Sequence, residues 1–226
     1  MSISNVQSSR GVTLVGAGAP APEDIRLLLS YAPDLVAADG GANACHAQGL
    51  SPIAVIGDFD SLAPETRDGL TDTRFIHVEE QDSTDFEKSL TRIAAPFILA
   101  TGFTGNRIDH ALAVMSALVQ HKGAPVIVLG GDDIFFAAPK QISLDLPFGT
   151  RVSIFPMTRL QGKATGLKWP IDDVVLQPDG RIGTSNMATG HVTLEFDTRG
   201  GLIFLPRTVF EIAFNALTTS PSAPKG

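Results

Sequence analysis

Cysteine is nearly absent from this chain, and it contains no long apolar run. One cysteine, Cys45, occurs among 226 residues, and a single thiol cannot form an internal disulfide, so a secreted fold built on disulfides is excluded. No Cys/His cluster has the spacing of a zinc site. No apolar stretch reaches the roughly 18 residues that a membrane-spanning helix needs, and the polar segment 1–10 lacks the apolar core of a signal peptide. We therefore expect a cytoplasmic protein with no membrane partner.

Positive charge is also scarce. The chain carries 17 Lys and Arg against 24 Asp and Glu, for a formal net charge of -7. Proteins that bind nucleic acid through its phosphates need clustered Lys and Arg, so we expect no nucleic-acid partner. An anionic substrate must then be held by a local device, such as a bound cation or a helix N-terminus. The content of 43% hydrophobic and 18% charged residues is typical of a globular chain.

Residues 12 to about 138 alternate short apolar runs with helical patterns. Continuous apolar runs are typical of strands covered on both faces, and the alternation predicts a mostly parallel sheet with flanking helices. A helix over 84–94 opens with the capping-box pattern Thr84-x-x-Glu87. A helix over 107–121 is predicted to place Ile108, Ala111, Leu112, Met115 and Val119 on one apolar face. The predicted strands are 12–15, 35–38, 53–56, 75–78, 97–100 and 126–129.

After Pro139 the pattern changes to short, partly alternating apolar runs at hairpin-like spacing. These runs predict a small all-β sandwich domain, and segment 209–217 fits either a helix or a last strand. The segment after it is rich in Ser, Pro and Thr and is expected to fray. The sequence therefore predicts an α/β fold with three parts: an N-terminal α/β domain at 1–138 with a mostly parallel sheet, a β-sandwich domain at 139–217 and a flexible tail at 218–226.

Glycine and aspartate follow almost every predicted strand of the first domain. In open α/β sheets, ligands bind beyond the carboxyl ends of the strands. Several carboxylates at one edge repel one another unless a cation is bound, and Mg²⁺ prefers such oxygen ligands and is usually shared with phosphates. This edge therefore predicts a site for a magnesium–nucleoside triphosphate. The segments are 16–18, 39–43, 57–61, 82–88, 102–110 and 130–133.

Single motifs at this edge allow other interpretations. The pair Asp58-x-Asp60 favours metal binding, because two carboxylates at the end of a buried strand are costly without a partner. Asp85 and Lys88, three residues apart on a helix, also fit a plain surface ion pair. The pattern Gly-x-x-Gly at 102–105 fits either an anion-binding helix start or a tight turn.

The segment 16–21 resembles a dinucleotide-binding pattern, with Asp39 about twenty residues further on. The pattern is weak, because Pro20 and Pro22 disturb the strand-to-helix turn. The chain also lacks the Gly-x-x-x-x-Gly-Lys-Ser/Thr sequence of a P-loop.

The ordered set of motifs resembles the thiamine pyrophosphokinase family over roughly residues 35 to 205. The matching segments are ADGGAN at 38–43, IGDFDS at 56–61, DSTDFEKSL at 82–90, GFTGNRIDH at 102–110, GLKWPI at 166–171 and TSN at 184–186. The resemblance implies a catalytic α/β domain followed by a β-sandwich. It also implies transfer of a diphosphoryl group from ATP to the hydroxyl of thiamine, with release of AMP.

The resemblance also implies roles for individual residues. The implied magnesium ligands are Asp58, Asp60 and Asp85, which with Lys88 and Arg107 form the implied catalytic set. The implied nucleotide-binding residues are Asp39, Asn43, Thr84, Gly102, Thr104, Gly105, Asn106 and Asp109. The implied thiamine pocket contains Trp169, Ser185 and Asn186 and is completed across a homodimer.

Two other functional classes use the same residues. A metal-dependent phosphohydrolase would use the aspartates to hydrolyse nucleotides without an acceptor alcohol. A nucleotide-binding module without chemistry would use the pattern from Gly16 to Asp39 and would need no magnesium. Lys88 and Trp169 stand in motifs that neither class requires.

Overall fold

The computed structural model describes residues 6–80, 82–105 and 107–219. These residues form two compact units that divide after Gly131. The mixed α/β class that the sequence predicts is confirmed. The first domain was predicted to end at residue 138, but the strand Asp133–Ala137 pairs with the strand Gly201–Pro206 and belongs to the second unit.

The first unit alternates strands and helices. Its strands are β1 (Val6–Gln7), β2 (Val12–Val15), β3 (Asp34–Ala38), β4 (Ala54–Gly57), β5 (Arg74–His77), β6 (Ile93–Ala94), β7 (Ile98–Thr101) and β8 (Val126–Gly130). Its helices are α1 (Pro22–Tyr31), α2 (Gly41–His46), α3 (Pro64–Gly69), α4 (Asp85–Leu90) and α5 (Ile108–Gln120).

Six of these strands form a parallel sheet in the order β8-β7-β2-β3-β4-β5. Strands β2, β4 and β7 are buried along their whole length, as expected for strands covered on both faces. The chain starts at β2 in the middle, proceeds outward to β5 and then returns to β7 on the other side of β2. This reversal creates a crevice beyond the carboxyl ends of β2 and β7, where ligands of such sheets bind.

Two helices of the first unit differ from the sequence prediction. Helix α4 has the predicted capping box of Thr84 and Glu87, but it ends at Leu90 rather than at residue 94, because β6 pairs with β1. In α5, Ile108 is 77% exposed and Leu112 is 56% exposed, so the apolar face that the helical period predicts is not the buried one. A second apolar face of α5 is buried instead, formed by Val114, Ala117 and Leu118.

The second unit is built from antiparallel strands and one helix. Its elements are β9 (Asp133–Ala137), β10 (Gln141–Asp145), β11 (Arg151–Pro156), β12 (Leu160–Leu167), β13 (Val175–Leu176), β14 (Gly183–Phe196), β15 (Gly201–Pro206) and α6 (Phe210–Thr218). The strand β14 is long enough to pair with β11 through its first residues and with β10 and β12 through its last ones.

The structure resolves one alternative in the second unit, because segment 209–217 is helical in α6. The arrangement of the strands as a β-sandwich stays a prediction. The predicted flexible tail lies outside the described residues from position 220 onward. Across the ranges described above, every helix is too short or too polar to cross a membrane.

Candidate active site

A cavity of about 650 Å³ opens at the carboxyl edge of the parallel sheet. Its walls come from the segments that follow β2, β4 and β7 and from the first turns of α4 and α5. The cavity thus lies at the edge where the sequence predicts the site. The predicted site residues that line the cavity are Asp58, Asp60, Thr84, Asp85, Lys88, Gly102, Gly105 and Arg107.

Three carboxylates converge beside the cavity. Asp39, Asp58 and Asp60 each offer an oxygen atom within 4.8 Å of the others. Asp39 is only 2% exposed, and its Oδ1 atom has no hydrogen-bond partner in the described part of the chain. Because a buried oxygen without a partner is costly, and because oxygen-rich donor sets suit Mg²⁺, these residues fit a divalent cation. The resemblance had placed Asp39 among the nucleotide contacts rather than among the ligands.

The backbone at the ends of β3 and β4 makes this convergence possible. Asp39 and Phe59 both adopt left-handed backbone, with φ of 42° and 68°, which is uncommon for residues other than glycine. The N–H of Asp39 donates to the carbonyl of Ile56 at 2.9 Å. A Cβ atom at Gly57 would lie 2.7 Å from the Cβ of Asp39, so only glycine allows the two strand ends to approach this closely.

Lys88 lies against these carboxylates. Its Nζ is 2.9 Å from Oδ2 of Asp58 and 3.7 Å from Oδ1 of Asp85. The side chain of Lys88 is 2% exposed, so a surface ion pair does not describe it. Burial lowers the pKa of Lys88, but its hydrogen bond to Asp58 and the charges of the nearby carboxylates outweigh burial and raise the pKa. The cavity wall therefore carries a fixed positive charge.

Asp85 lies outside the group of three but in its electric field. Burial raises the pKa of Asp85 most, and the negative charge of Asp39 raises it further. The positive charge of Lys88 lowers this pKa, while Asp58 and Asp60 raise it. Asp85 therefore holds a proton more readily than an ordinary aspartate does. A cation bound among these carboxylates would remove much of their mutual repulsion.

Two glycine-containing loops meet at the crevice between β2 and β7. The N–H of Gly18 donates to the carbonyl of Gly102 at 2.7 Å, and the N–H of Gly16 donates to that of Thr101 at 2.9 Å. A Cβ atom at Gly16 would lie 2.5 Å from the oxygen of Gly102, so the two backbones touch. Ala17, Gly18 and Ala19 line the cavity beside these contacts, and the first two belong to the segment 16–18 that the sequence places at this edge.

Most of the remaining predicted phosphate and nucleotide contacts do not line the cavity, and the one that does is held in an ion pair. Arg107 lines the cavity but pairs with Asp109 at 2.6 Å in an exposed ion pair, and this hydrogen bond lowers the pKa of Asp109. Asp109 and Thr104 are not among the lining residues. The amide of Asn43 bonds to the loop after β4 rather than facing the cavity. Position 106, the predicted contact Asn106, lies outside the described residues.

Several further residues line the cavity without having been assigned a role individually. All but Val114 belong to the segments 57–61, 82–88 and 102–110 that the sequence places at this edge. They include Ser61, Ser83, Phe86, Phe103, His110 and Val114.

The three predicted thiamine contacts cluster in the second unit. Oδ1 of Asn186 accepts the N–H of Trp169 at 3.1 Å, and Nδ2 of Asn186 donates to the carbonyl of Trp169 at 2.7 Å. The neighbouring Ser185 donates its N–H to Oγ of Ser153 at 2.9 Å. Asn186 therefore anchors the backbone of Trp169 and leaves its ring, 50% exposed, at the surface of the unit. The Nζ of Lys168 lies 4.7 Å from the centre of that ring.

Comparison with protein families gives separate matches for the two units. The profile of "Thiamin pyrophosphokinase, catalytic domain" matches residues 25–128. The profile of "Thiamin pyrophosphokinase, vitamin B1 binding domain" matches residues 140–203. The first match contains the carboxylate cluster, and the second contains Trp169 and Asn186.

Individual relatives agree with the profiles. The chain is 27% identical to thiamine pyrophosphokinase 1 of Oryza sativa subsp. japonica in an alignment of 201 residues. The match covers 74% of this chain and 76% of the relative. It is 26% identical to thiamine pyrophosphokinase 1 of Arabidopsis thaliana over 215 residues, covering 78% and 79% of the two chains.

Solved structures show the same fold at lower identity. The thiamin pyrophosphokinase of Candida albicans superposes with a TM-score of 0.75 at 15% identity, covering 90% of this chain and 94% of that one. That of Geobacillus thermodenitrificans superposes with a TM-score of 0.71 at 24% identity, covering 87% and 96%. The two profile matches together cover most of the sequence. On these matches, the chain belongs to the thiamine pyrophosphokinase family.

Proposed function

We propose that this protein transfers a diphosphoryl group from ATP to the hydroxyl of thiamine and forms thiamine diphosphate and AMP. Family membership supports this reaction. The observation that carries the proposal is the group of Asp39, Asp58 and Asp60 with an unpartnered buried oxygen, beside the buried Lys88 on the cavity wall. The negative charge of these carboxylates repels a triphosphate unless a cation is bound between them.

We propose Asp39, Asp58 and Asp60 as the residues that hold Mg²⁺, with Asp85 next to them. When bound, Mg²⁺ offsets negative charge on the phosphate oxygens and helps to align the chain for attack at the β-phosphorus. Lys88 supplies a positive charge from the protein itself, and a second one comes from Arg107. Such preorganised charges stabilise the transition state of phosphoryl transfer more than the ground state.

Asp85 is the proposed acceptor of the proton that leaves the thiamine hydroxyl. A base is most efficient when its pKa lies close to the working pH, and burial together with the neighbouring carboxylates raises the pKa of Asp85. Asp60, also on the cavity wall, is the alternative acceptor.

The second unit is the proposed thiamine-binding and dimerisation domain, with a β-sandwich arrangement. The exposed ring of Trp169 offers a stacking face for the positively charged thiazolium of thiamine. Ser185 and Asn186 hold the surrounding backbone. We propose a homodimer in which this pocket completes the active site of the partner subunit, and a location in the cytoplasm.

The proposal is tested with the purified chain, ATP, Mg²⁺ and thiamine, by following AMP and thiamine diphosphate by chromatography. Equal amounts of the two products are expected. The double variant Asp58→Asn, Asp60→Asn should keep its circular dichroism spectrum and lose activity by about 100-fold or more, since it removes two cation ligands. Asp72→Asn, a substitution at an exposed carboxylate, is the matched control and should behave as the wild type.

The same assay separates the other functional classes. A phosphohydrolase would release product from ATP without thiamine at the full rate. A nucleotide-binding module would bind ATP equally well in EDTA and form no product. Wild-type activity in the double variant at ordinary Mg²⁺ concentrations would contradict the cation role of this pair.

A further inference from the structure

We propose that Asn43 is a positioning residue that ties together the two chain segments supplying the carboxylate cluster. Asn43 lies in the first turn of α2, and both ends of its amide bond to the loop after β4. Its Nδ2 donates to the carbonyl of Ser61 at 2.8 Å, and its Oδ1 accepts the N–H of Ala63 at 3.0 Å. These bonds cross 18 and 20 residues of chain. The amide therefore acts as a clamp between two strand ends.

One side of the clamp carries Asp39. The N–H of Ala42 donates to the carbonyl of Asp39 at 3.1 Å, and the N–H of Asn43 donates to that of Gly40 at 3.1 Å. Asp39 and Asn43 thus belong to the same tight helical start. A Cβ atom at Gly40 would lie 3.1 Å from the Cβ of Ser61. The first turn of α2 therefore packs directly on the loop after β4, to which the Asn43 amide bonds.

The other side of the clamp carries Asp58 and Asp60. The hydroxyl of Ser61 donates to Oδ1 of Asp60 at 2.8 Å, and the N–H of Asp60 donates to Oδ1 of Asp58 at 3.3 Å. A continuous set of hydrogen bonds therefore runs from Asn43 through Ser61 to both aspartates. Groups of this kind orient the ligands of a metal without touching the metal. Asn43 accordingly acts on the nucleotide only through the cation site, in contrast to the direct contact expected from its motif.

The inference rests on the proposed function, because the cation is part of that proposal. Its test is direct binding of Mn²⁺ to the full chain, measured from the electron paramagnetic resonance signal of free Mn²⁺. Each titration is made with Mn²⁺ alone and with Mn²⁺ and α,β-methylene-ATP, which cannot undergo the transfer. Melting temperature and the KM for thiamine are recorded for every variant.

Asn43→Ala should weaken Mn²⁺ binding about 10-fold, the lower end of the range for groups that orient metal ligands. The KM for thiamine should stay unchanged. Ser61→Ala, which keeps the two backbone bonds of the clamp, should cause a smaller loss. In the double variant Asn43→Ala, Ser61→Ala, the loss of Mn²⁺ binding free energy should be smaller than the sum of the losses in the two single variants. Both substitutions interrupt the same chain of bonds, so their effects overlap.

Gln48→Ala is the matched control. The amide of Gln48 also bonds near α2, to the carbonyl of Ala44 at 3.3 Å, but not to the loop after β4. It should bind Mn²⁺ as the wild type does. Unchanged Mn²⁺ affinity in Asn43→Ala, or an equal loss in Gln48→Ala, would overturn the inference. If Asn43→Ala does not fold, Asn43→Ser decides, because its short hydroxyl cannot hold both bonds of the clamp: wild-type affinity there overturns the clamp, and a loss supports it.

The outcomes also separate the two proposals. A wild-type chain that binds Mn²⁺ but transfers no diphosphoryl group contradicts the proposed function, while the variants still decide the role of Asn43. A wild-type chain that binds no Mn²⁺ overturns both.

Discussion

At the scale of single residues, charged groups are concentrated at a place where burial raises their free energy. Asp39 keeps an unpartnered oxygen in the interior, and Lys88 is almost completely buried beside Asp58. Removing charged groups from water costs free energy that their mutual attraction repays only in part. Four carboxylates against one lysine leave an excess of negative charge. The metal-free protein should therefore be strained at this place, and a cation should relieve the strain.

The variant Asp85→Asn tests this strain through pH. Burial and the neighbouring carboxylates raise the pKa of Asp85 in the folded protein above the ordinary value of an aspartate. A raised pKa means that the carboxyl stabilises the fold below the unfolded pKa and that this stability is lost as pH rises through the folded pKa. In EDTA at pH 7, Asp85→Asn should therefore melt at a higher temperature than the wild type.

This gain should shrink as the pH falls toward the unfolded pKa, where the wild-type carboxyl is also neutral. Added Mg²⁺ should reverse the order, because it stabilises the wild type more. Asp109→Asn serves as the comparison, because Arg107 lowers the pKa of Asp109, whereas the pKa of Asp85 is raised. Asp109→Asn should therefore not raise the melting temperature at pH 7. A melting temperature of Asp85→Asn that is lower than that of the wild type in EDTA would contradict the expected strain.

At the scale of elements, α5 has two apolar faces, and only one of them is buried. Ile108 and Leu112 begin one face, and Val114 and Leu118 lie on the other. Both faces satisfy the helical period, so periodicity alone does not identify the buried one. The structure buries the second face, which depends on how α5 packs against other elements such as α4.

A pair of leucine substitutions on α5 tests this orientation. Leu118 is 1% exposed and Leu112 is 56% exposed. Leu118→Ala should lower the free energy of unfolding by about 2–5 kcal/mol, because it leaves a cavity in the core. Leu112→Ala should lower it by less than about 1 kcal/mol. Urea denaturation measures both, and equal losses in the two variants would show that the face of Leu112 is buried in the protein in solution.

At the scale of the whole molecule, the proposed reaction needs both units. The first unit carries the carboxylate cluster, and the second carries the exposed ring of Trp169. Trp169 is the single tryptophan of the chain, so its fluorescence reports on this ring alone. The amino group of Lys168 lies over this ring, 4.7 Å from its centre.

Trp169→Ala is therefore expected to weaken thiamine binding selectively. Stacking of a cation on tryptophan worth about 1–2 kcal/mol corresponds to a KM for thiamine raised roughly 5- to 30-fold, with little change for ATP. Thiamine should quench the fluorescence of the wild type. Phe148→Ala removes another exposed aromatic ring of the second unit and serves as the control.

Mixing Trp169→Ala with Asp58→Asn tests the proposed homodimer. If the pocket is shared across subunits, hybrids contain one intact site, and part of the activity returns. No quenching, together with an unchanged KM for thiamine in Trp169→Ala, would leave this ring a structural role only.

The amino-acid sequence by itself determined the features that depend on neighbours along the chain. The buried strands of the first unit, the capping box at Thr84 and the repeated aspartates and glycines at the strand ends were all predicted from local pattern. The ordered motifs were enough to indicate the family. Such features are local, because strand burial, helix caps and turns are encoded within a few residues.

Only the tertiary structure decided the features that depend on distant segments. It placed Asp39 with Asp58 and Asp60, turned the amide of Asn43 onto the loop after β4 and buried one face of α5 rather than the other. Each depends on contacts between residues far apart in sequence, and local pattern carries no information about which of several equivalent partners a group will meet. The physical reason is that burial and hydrogen bonding are settled when the strands and helices pack, after local preferences have only narrowed the choice.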